Sequence, residues 1–265
     1  MEEYSGFASF YDLFMDDVPY EQWHAFLIRQ LHRYHIEEGL VLDLGCGTGR
    51  MTRLLQNSGY DLIGVDRSPQ MLTAARQADP DNAGILYLCQ DMCEFELNGT
   101  VRAIVSVCDS LNYLLEPRQM QRVFSLAYNY LDYGGLFVFD LNTGYKYEHL
   151  LGDRTFAENR EEGSYIWENM YDEQKRINEY AVTFYVREED QQYRRFEEIH
   201  YQKAYSADEI SQWLSRAGFE LRAVYDDYTE KPAHEHSSRI CFVAQKCRAR
   251  MRHISRDCSA ATVQK

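Results

Sequence analysis

Val41-Leu42-Asp43-Leu44-Gly45-Cys46-Gly47-Thr48-Gly49-Arg50 runs an apolar strand into a glycine-rich turn and out into a helix, and this stretch decides the fold. Glycine tolerates positive φ and has no side chain, so such a turn lets a ligand approach the backbone closely. Two nucleotide-binding readings fail on single residues. A dinucleotide site wants GxGxxG, but Arg50 stands at the sixth position; a phosphate-cradling loop wants GxxxxGK followed by Ser or Thr, and this stretch has no lysine. What remains, beside a merely structural turn, is an acid, Asp43, just ahead of GxGxG at the carboxyl end of a strand.

Outward from this turn, short apolar runs at 40–44, 62–65, 85–89, 101–107 and 136–141 alternate with helical patterns at 50–58, 69–78 and 117–131, with Gly134 and Gly135 as a stop signal. Strands alternating with helices at this spacing predict a parallel sheet covered on both faces. Upstream, Trp23, Phe26, Leu27, Gln30, Leu31 and Tyr34 fall on one face of a helix over 19–34. Downstream the rhythm changes. Aromatic and β-branched stretches at 164–171, 179–187 and 193–203 predict an antiparallel meander. Ser206 and Glu209 then form a capping box for a helix that ends at Gly218, and strands follow at 219–225 and 240–244. The chain thus divides into a helical cap (1–38), an α/β domain (39–150 and 206–246), a β insertion (151–205) and a flexible basic tail (247–265).

With 28 Lys+Arg against 42 Asp+Glu, the 265-residue chain carries a formal net charge of −14, which excludes a polybasic nucleic-acid clamp. A hydrophobic share of 45% is enough for a sizeable core. The acidic, aromatic start MEEYSGFASF is not an export signal, and no run approaches the roughly 18–20 apolar residues of a membrane span. Seven cysteines, odd in number and without a CxxC, suit reduced thiols; a soluble cytoplasmic protein is the expectation. His234-Glu235-His236 has no further ligand at metal spacing and reads as a solvated loop, so no metal is expected.

The chemistry is carried by acids at strand ends. Asp43 suits a ligand with a positive centre, an amine or a sulfonium. Asp66 ends the second strand, 17 positions after Gly49, where a carboxylate accepts from both hydroxyls of a ribose. Asp91 ends the third, positioned to accept from an adenine amino group, and Asp109 follows the fourth. Open α/β sheets bind ligands outside these carboxyl ends, and S-adenosylmethionine has every feature the four acids ask for.

LDLGCGTG, GVDRSPQML and QDM, in this order and spacing, resemble motifs of the class I (Rossmann-like) S-adenosylmethionine-dependent methyltransferases. The resemblance implies a seven-stranded, mostly parallel sheet whose last strand is antiparallel, with a small antiparallel β insertion after the fifth strand. It implies that Gly45, Cys46 and Gly47 line the methionyl part of the cofactor, Asp66 and Arg67 the ribose end, and Met71 one adenine face. Asp91 and Met92 would hold the adenine edge, and Cys108 would approach the methionyl amine beside Asp109. A narrower resemblance rests on Phe10-Tyr11-Asp12, Asp109-Ser110-Leu111-Asn112-Tyr113-Leu114, Phe139-Asp140-Leu141-Asn142-Thr143 and Tyr165-Ile166-Trp167-Glu168-Asn169. These resemble the YqeM-like bacterial group, distantly related to glycine N-methyltransferase and amino-sugar N,N-dimethyltransferases. This implies a Tyr11 that closes over the cofactor, Asn112 near it, and an insertion that roofs the acceptor pocket.

Methyl transfer from a sulfonium needs mainly orientation and electrostatics, so a dedicated base is optional and no catalytic residue is assigned. Asp140, Tyr145 and His200 are candidates to touch substrate. Tyr165, Trp167 and Tyr171 alternate on one face and either line a pocket, Trp167 foremost, or cover the sheet. The expected reaction is methylation of N or O of a small metabolite, releasing S-adenosylhomocysteine. Methylation of a tRNA or protein, with the basic tail as a handle, and cofactor binding without turnover are the alternatives. The aromatic insertion could also pair in a homodimer.

Overall fold

The computed structural model of the 265-residue chain describes residues 18–79, 84–188 and 192–247. Helix α1 (Tyr20–Arg33) precedes an alternation of β1 (Leu40–Leu44), α2 (Arg50–Asn57), β2 (Asp61–Asp66), α3 (Pro69–Gln77), β3 (Leu86–Cys89) and β4 (Val101–Ser106). After a 3-10 turn at Ser110–Tyr113 come α4 (Pro117–Tyr130) and β5 (Leu131–Asn142), then a π-helical turn at Lys146–Leu151. The meander β6 (Thr155–Asn159), β7 (Gly163–Asp172), β8 (Ile177–Arg187) and β9 (Tyr193–Lys203) leads into α5 (Ala207–Ala217), β10 (Phe219–Asp226) and β11 (Arg239–Lys246).

The main sheet has seven strands in the order β10-β11-β5-β4-β1-β2-β3. Pairs β1–β2, β1–β4, β2–β3 and β4–β5 are parallel, while β11 lies antiparallel between β5 and β10, as the sequence predicts for the last strand. Period-2 alternation sends side chains to opposite layers. Val41, Val105, Val138 and Val243 pack on α1, α2 and α3 through Phe26, Leu27, Leu55 and Leu72. Leu42, Ile104, Phe137, Phe139 and Phe242 pack on α4 and α5 through Val123, Phe124, Ile210 and Leu214. Burial on both faces explains why these strands read as unbroken apolar runs.

Two glycines behave differently from the expectation. Helix α4 stops at Tyr130, and Gly134 and Gly135 lie inside β5 at a bulge against Val101 and Ala103. Gly134 takes φ +87°, a left-handed bulge conformation, while a Cβ on Gly135 would stand 2.8 Å from the Arg102 carbonyl, so the first serves the bulge and the second a close backbone approach.

The second sheet, β6-β7-β8-β9, is antiparallel throughout. It is tied to the main sheet by Asn112, whose Nδ2 donates to the carbonyls of Asn142 (3.1 Å) and Lys203 (2.9 Å) while its Oδ1 accepts from the Asn142 amide (2.9 Å). Arg176 in the β7–β8 connection clamps Glu209 of α5 with two bonds of 2.7 and 2.9 Å. The register puts Trp167, Asn169 and Tyr171 with Tyr180 and Asn178, and with His200 and Gln202, on the inner face. Ile166, Met170, Ile199 and Tyr201 lie exposed on the outer one. No described helix is long and apolar enough to cross a membrane.

Candidate active site

The glycine turn hangs from the end of β2. Gly45 and Cys46 donate their amides to the Val65 carbonyl (2.7 and 3.0 Å), and the Gly47 amide donates to Asp66 Oδ2 (2.9 Å). Asp66 Oδ1 accepts from the Ser68 amide (2.8 Å), so the carboxylate is fixed at the strand end with lone pairs to spare. Gly45 has φ +80°, and a Cβ there would come within 2.8 Å of Ser110. Gly47 has φ +55°, yet a Cβ there would meet nothing within 4 Å. Among the described residues the loop therefore packs tightly on one flank and is open on the other.

Asp43 lies wholly buried beneath this loop. Thr52 Oγ1 donates to its Oδ2 (2.6 Å), while Oδ1 has no partner among the described residues. Burial, with the nearby Asp66 charge and against the Thr52 bond, pushes its carboxyl up to about 7. The sequence has Asp43 facing a cationic ligand; the structure has it acting from below the turn. Met92 brings its methyl to 3.4 Å of the Cβ position of Gly45. Met71 is half-buried, its amide donating to Ser68 Oγ at the start of α3, and Asp91 is exposed with Oδ1 held by the Cys93 amide at 2.7 Å. Arg67 is exposed, and its carbonyl accepts from the Cys89 thiol. Tyr11 lies outside the described residues.

At the end of β4 two successive non-glycine residues, Cys108 (φ +60°) and Asp109 (φ +52°), take left-handed conformations. Such strain persists only where neighbours over-determine it. Here the neighbours are charged. Arg239 donates through Nη2 to Asp109 Oδ1 (2.8 Å) and through Nη1 to Asp140 Oδ2, which also accepts from the Asp109 amide (3.0 Å). Tyr228 donates to Asp140 Oδ1 (2.7 Å), and the Arg239 guanidinium lies 5.0 Å from the Trp23 ring. Burial raises the Asp109 carboxyl, but Arg239, Lys146 and the bond from Gln202 outweigh it and hold it below its ordinary value. Burial also raises Asp140, and the neighbouring Asp109 charge leaves it above the usual range despite Arg239. Burial pushes the Cys108 thiol up to about 12, aided by Asp109, so it stays protonated.

Asp109 is also where the two sheets meet. Gln202 of β9 donates to Asp109 Oδ2 (2.6 Å) and accepts at Oε1 from Tyr147 (2.8 Å) and Tyr180 (2.9 Å). Asp140, expected to touch substrate, and Asn112, expected near the cofactor, are both completely buried and hydrogen-bonded within the protein, bracing the strand ends from within. Tyr145 contacts His149 and His236 at the edge, and Trp167 stacks obliquely on Phe156 and Tyr180 with its Nε1 buried and unpartnered. His200 lies on the inner face near Tyr113. Arg239, Gln202, Lys146, Tyr147 and Tyr180 escape a reading of the sequence, because each is a lone polar residue whose partners come from distant segments. A hollow lined by His35, Glu37, Glu38 and Arg102 lies at the opposite, amino ends of the strands.

Residues 41–135 match the family model described as a methyltransferase domain. A provisionally named methyltransferase of Geobacillus sp. (strain WCH70) is 37% identical over 92% of this chain and 99% of its own length. The provisionally named methyltransferase YqeM of Bacillus subtilis (strain 168) is 35% identical over 92% of this chain and 97% of its own. A crystal structure of an S-adenosylmethionine-dependent methyltransferase from Clostridium acetobutylicum ATCC 824 superposes with a TM-score of 0.84 at 29% identity, covering 92% of this chain and 99% of that one. With its glycine cradle at the carboxyl ends of a seven-stranded sheet, the chain belongs to the YqeM-like group of class I S-adenosylmethionine-dependent methyltransferases.

Proposed function

We propose that the crevice from Gly45 to Asp109 holds S-adenosylmethionine and that the chain methylates N or O of a small metabolite enclosed between the two sheets. The observation that carries this reading is the Gln202–Asp109 bond, which fastens the inner face of the second sheet over the strand end where the glycine loop opens. The loop around Gly47 would take the methionyl part, Asp66 the ribose hydroxyls, and Met71, Asp91 and Met92 the adenine. The cofactor supplies an activated methyl group on a sulfonium. The chain's own residues orient it: Asp43 from beneath and Asp109 from the side place negative potential where positive charge must sit. Asp109 is held in place by Arg239 rather than free to move, so it is organised before any ligand arrives. A second sheet fastened at Asp109 over the strand ends and a net charge of −14 favour a small acceptor over a phosphate polymer. The free cysteines, Cys46 and Cys241 among them buried, suit a cytoplasmic setting.

Calorimetric titration of S-adenosylmethionine and S-adenosylhomocysteine into wild type and Asp66→Ala tests the assignment. Binding to wild type, weakened about tenfold or more by the substitution, is the expected result. A folded wild type that binds neither compound overturns it. Binding without turnover across a broad acceptor panel would favour a sensor over an enzyme.

A further inference from the structure

The 3-10 turn at Ser110–Tyr113 touches both halves of the site. At one end Ser110 Oγ donates to the Gly45 carbonyl (3.3 Å), and at the other Tyr113 Oη meets His200 Nδ1 of β9 (3.5 Å) with the two rings edge to face at 5.8 Å. The second ring nitrogen of His200, Nε2, stands 2.9 Å from Glu198 Oε2. A carboxylate accepts only, which assigns the hydrogen to Nε2 and, in the neutral ring, leaves Nδ1 to accept from the Tyr113 hydroxyl. Burial, with the charges of Asp109 and Cys108 nearby, raises the Tyr113 phenol, which therefore keeps its proton to donate. Around this chain stand Tyr180, opposite His200 on β8, and Gln202 with Asp109; Lys146 and Arg239, the cations close by, are occupied with Asn142 and the two aspartates.

We propose that Tyr113, His200 and Glu198 form a proton relay that deprotonates a primary or secondary ammonium acceptor held between Tyr113 and the glycine loop. The inference rests on the methyltransferase reading above. Aromatic faces of Tyr113, Tyr180 and Trp167 beside Asp109 and Glu198 favour a small organic cation. An ammonium has no lone pair and cannot attack. Its N–H proton passes to Tyr113 Oη as the phenol proton passes to His200 Nδ1, and Glu198 stabilises the imidazolium formed. The freed nitrogen pair makes the new N–C bond while the C–S bond breaks with its electrons staying on sulfur, leaving a thioether and an N-methylammonium. His200, whose side chain is 32% exposed, returns its proton to water. Tyr113 is the catalytic residue, since it touches the acceptor; His200 acts through it and Glu198 positions His200.

The test uses the full chain labelled with 15N-histidine. Long-range 1H–15N spectra of wild type should show His200 with hydrogen on Nε2, and Glu198→Ala, which leaves no acceptor there, should lose that preference; a dominant Nδ1–H form in wild type overturns the relay. Turnover is then followed as S-adenosylhomocysteine release with ethylamine, benzylamine, ethanolamine, glucosamine and sarcosine. Tyr113→Phe and His200→Asn should bind S-adenosylmethionine within twofold of wild type yet turn over about 100-fold more slowly at pH 7. That deficit should shrink about tenfold per pH unit toward the amine's own pKa, because the acceptor then arrives already neutral, whereas a purely structural defect would not close with pH. A deficit constant with pH, or no product from any amine with a wild type that binds the cofactor, overturns the proposal. Failure of wild type to bind the cofactor instead removes the reading beneath it.

Discussion

Replacing Asp43 with asparagine should make the protein more stable at pH 7 and above, the balance shifting in the variant's favour as pH rises from 5. The carboxyl is completely buried, one oxygen has a single donor and the other none, and its pKa goes from 3.8 up to about 7 on folding. The folded state therefore binds this proton more tightly than the unfolded one, so the stability it contributes is present below about pH 4 and is lost as pH climbs toward 7. Asparagine has no such titration. It keeps an acceptor for Thr52 but places an amide where no partner waits, an offset of about 1–3 kcal/mol that does not vary with pH. The difference between variant and wild type should accordingly widen by about 2–3 kcal/mol between pH 5 and pH 8, nearly all of it below pH 7. At about 2–4 °C per kcal/mol for a chain of this size, melting temperatures should diverge by roughly 5–10 °C over that range. Scanning calorimetry at pH 5, 6, 7 and 8 on both proteins measures it, and a difference that stays flat across the series would refute the argument. The gain in stability should come with weaker cofactor binding, since the same charge lies beneath the cradle.

Arg239→Met should cost about 3–5 kcal/mol in urea unfolding, because it leaves Asp140 and Asp109 buried without their cation; adding Asp140→Asn should recover part of that loss. Gly45→Ala should abolish cofactor binding and lower stability, since its Cβ meets Ser110 at 2.8 Å. Gly47→Ala, with open space around it, should cost only the left-handed backbone, about 1 kcal/mol, while still hindering the ligand, a contrast read by melting and calorimetry together. Glu209, drawn down to about 2 chiefly by the Arg176 bonds, contributes stability above its ordinary pKa of 4.5 that fades as pH falls toward 2. Glu209→Gln should therefore lose about 1 kcal/mol at pH 7, the modest value suited to a partly exposed pair, and the loss should vanish near pH 2 in the melting curves.

The glycine turn and the acids at the strand ends were legible in the sequence because they are local. One turn, Gly45 to Gly49, and the acids that end adjacent strands occur in chain order, and the parallel topology brings those strand ends to one edge. The strands were legible for the same reason, their two-sided burial leaving continuous apolar runs. The helix stop at Gly134 and Gly135 misled because a bulge uses glycine as readily as a helix end does. What was hidden is the linkage around Asp109: Asp109, Asp140, Gln202 and Arg239 come from beyond β4, from β5, from β9 and from β11, and nothing local in any of them announces the others. Asp140 looked like a substrate contact since it ends a strand in the right place, but its partners Tyr228 and Arg239 draw it inside.

The wedge position of β11 bears on how the chain comes off the ribosome. Until residues 239–246 emerge, β5 ends the growing sheet with its outer N–H and C=O groups unanswered, and β10 has no strand to lie against. In that interval the two carboxylates at the ends of β4 and β5 face each other without the guanidinium that reconciles them, because Arg239 is the first residue of the missing strand. The sheet of a nascent chain thus stays open at β5 until β11 appears, and the same few residues that close it also bring the guanidinium that pairs the two carboxylates.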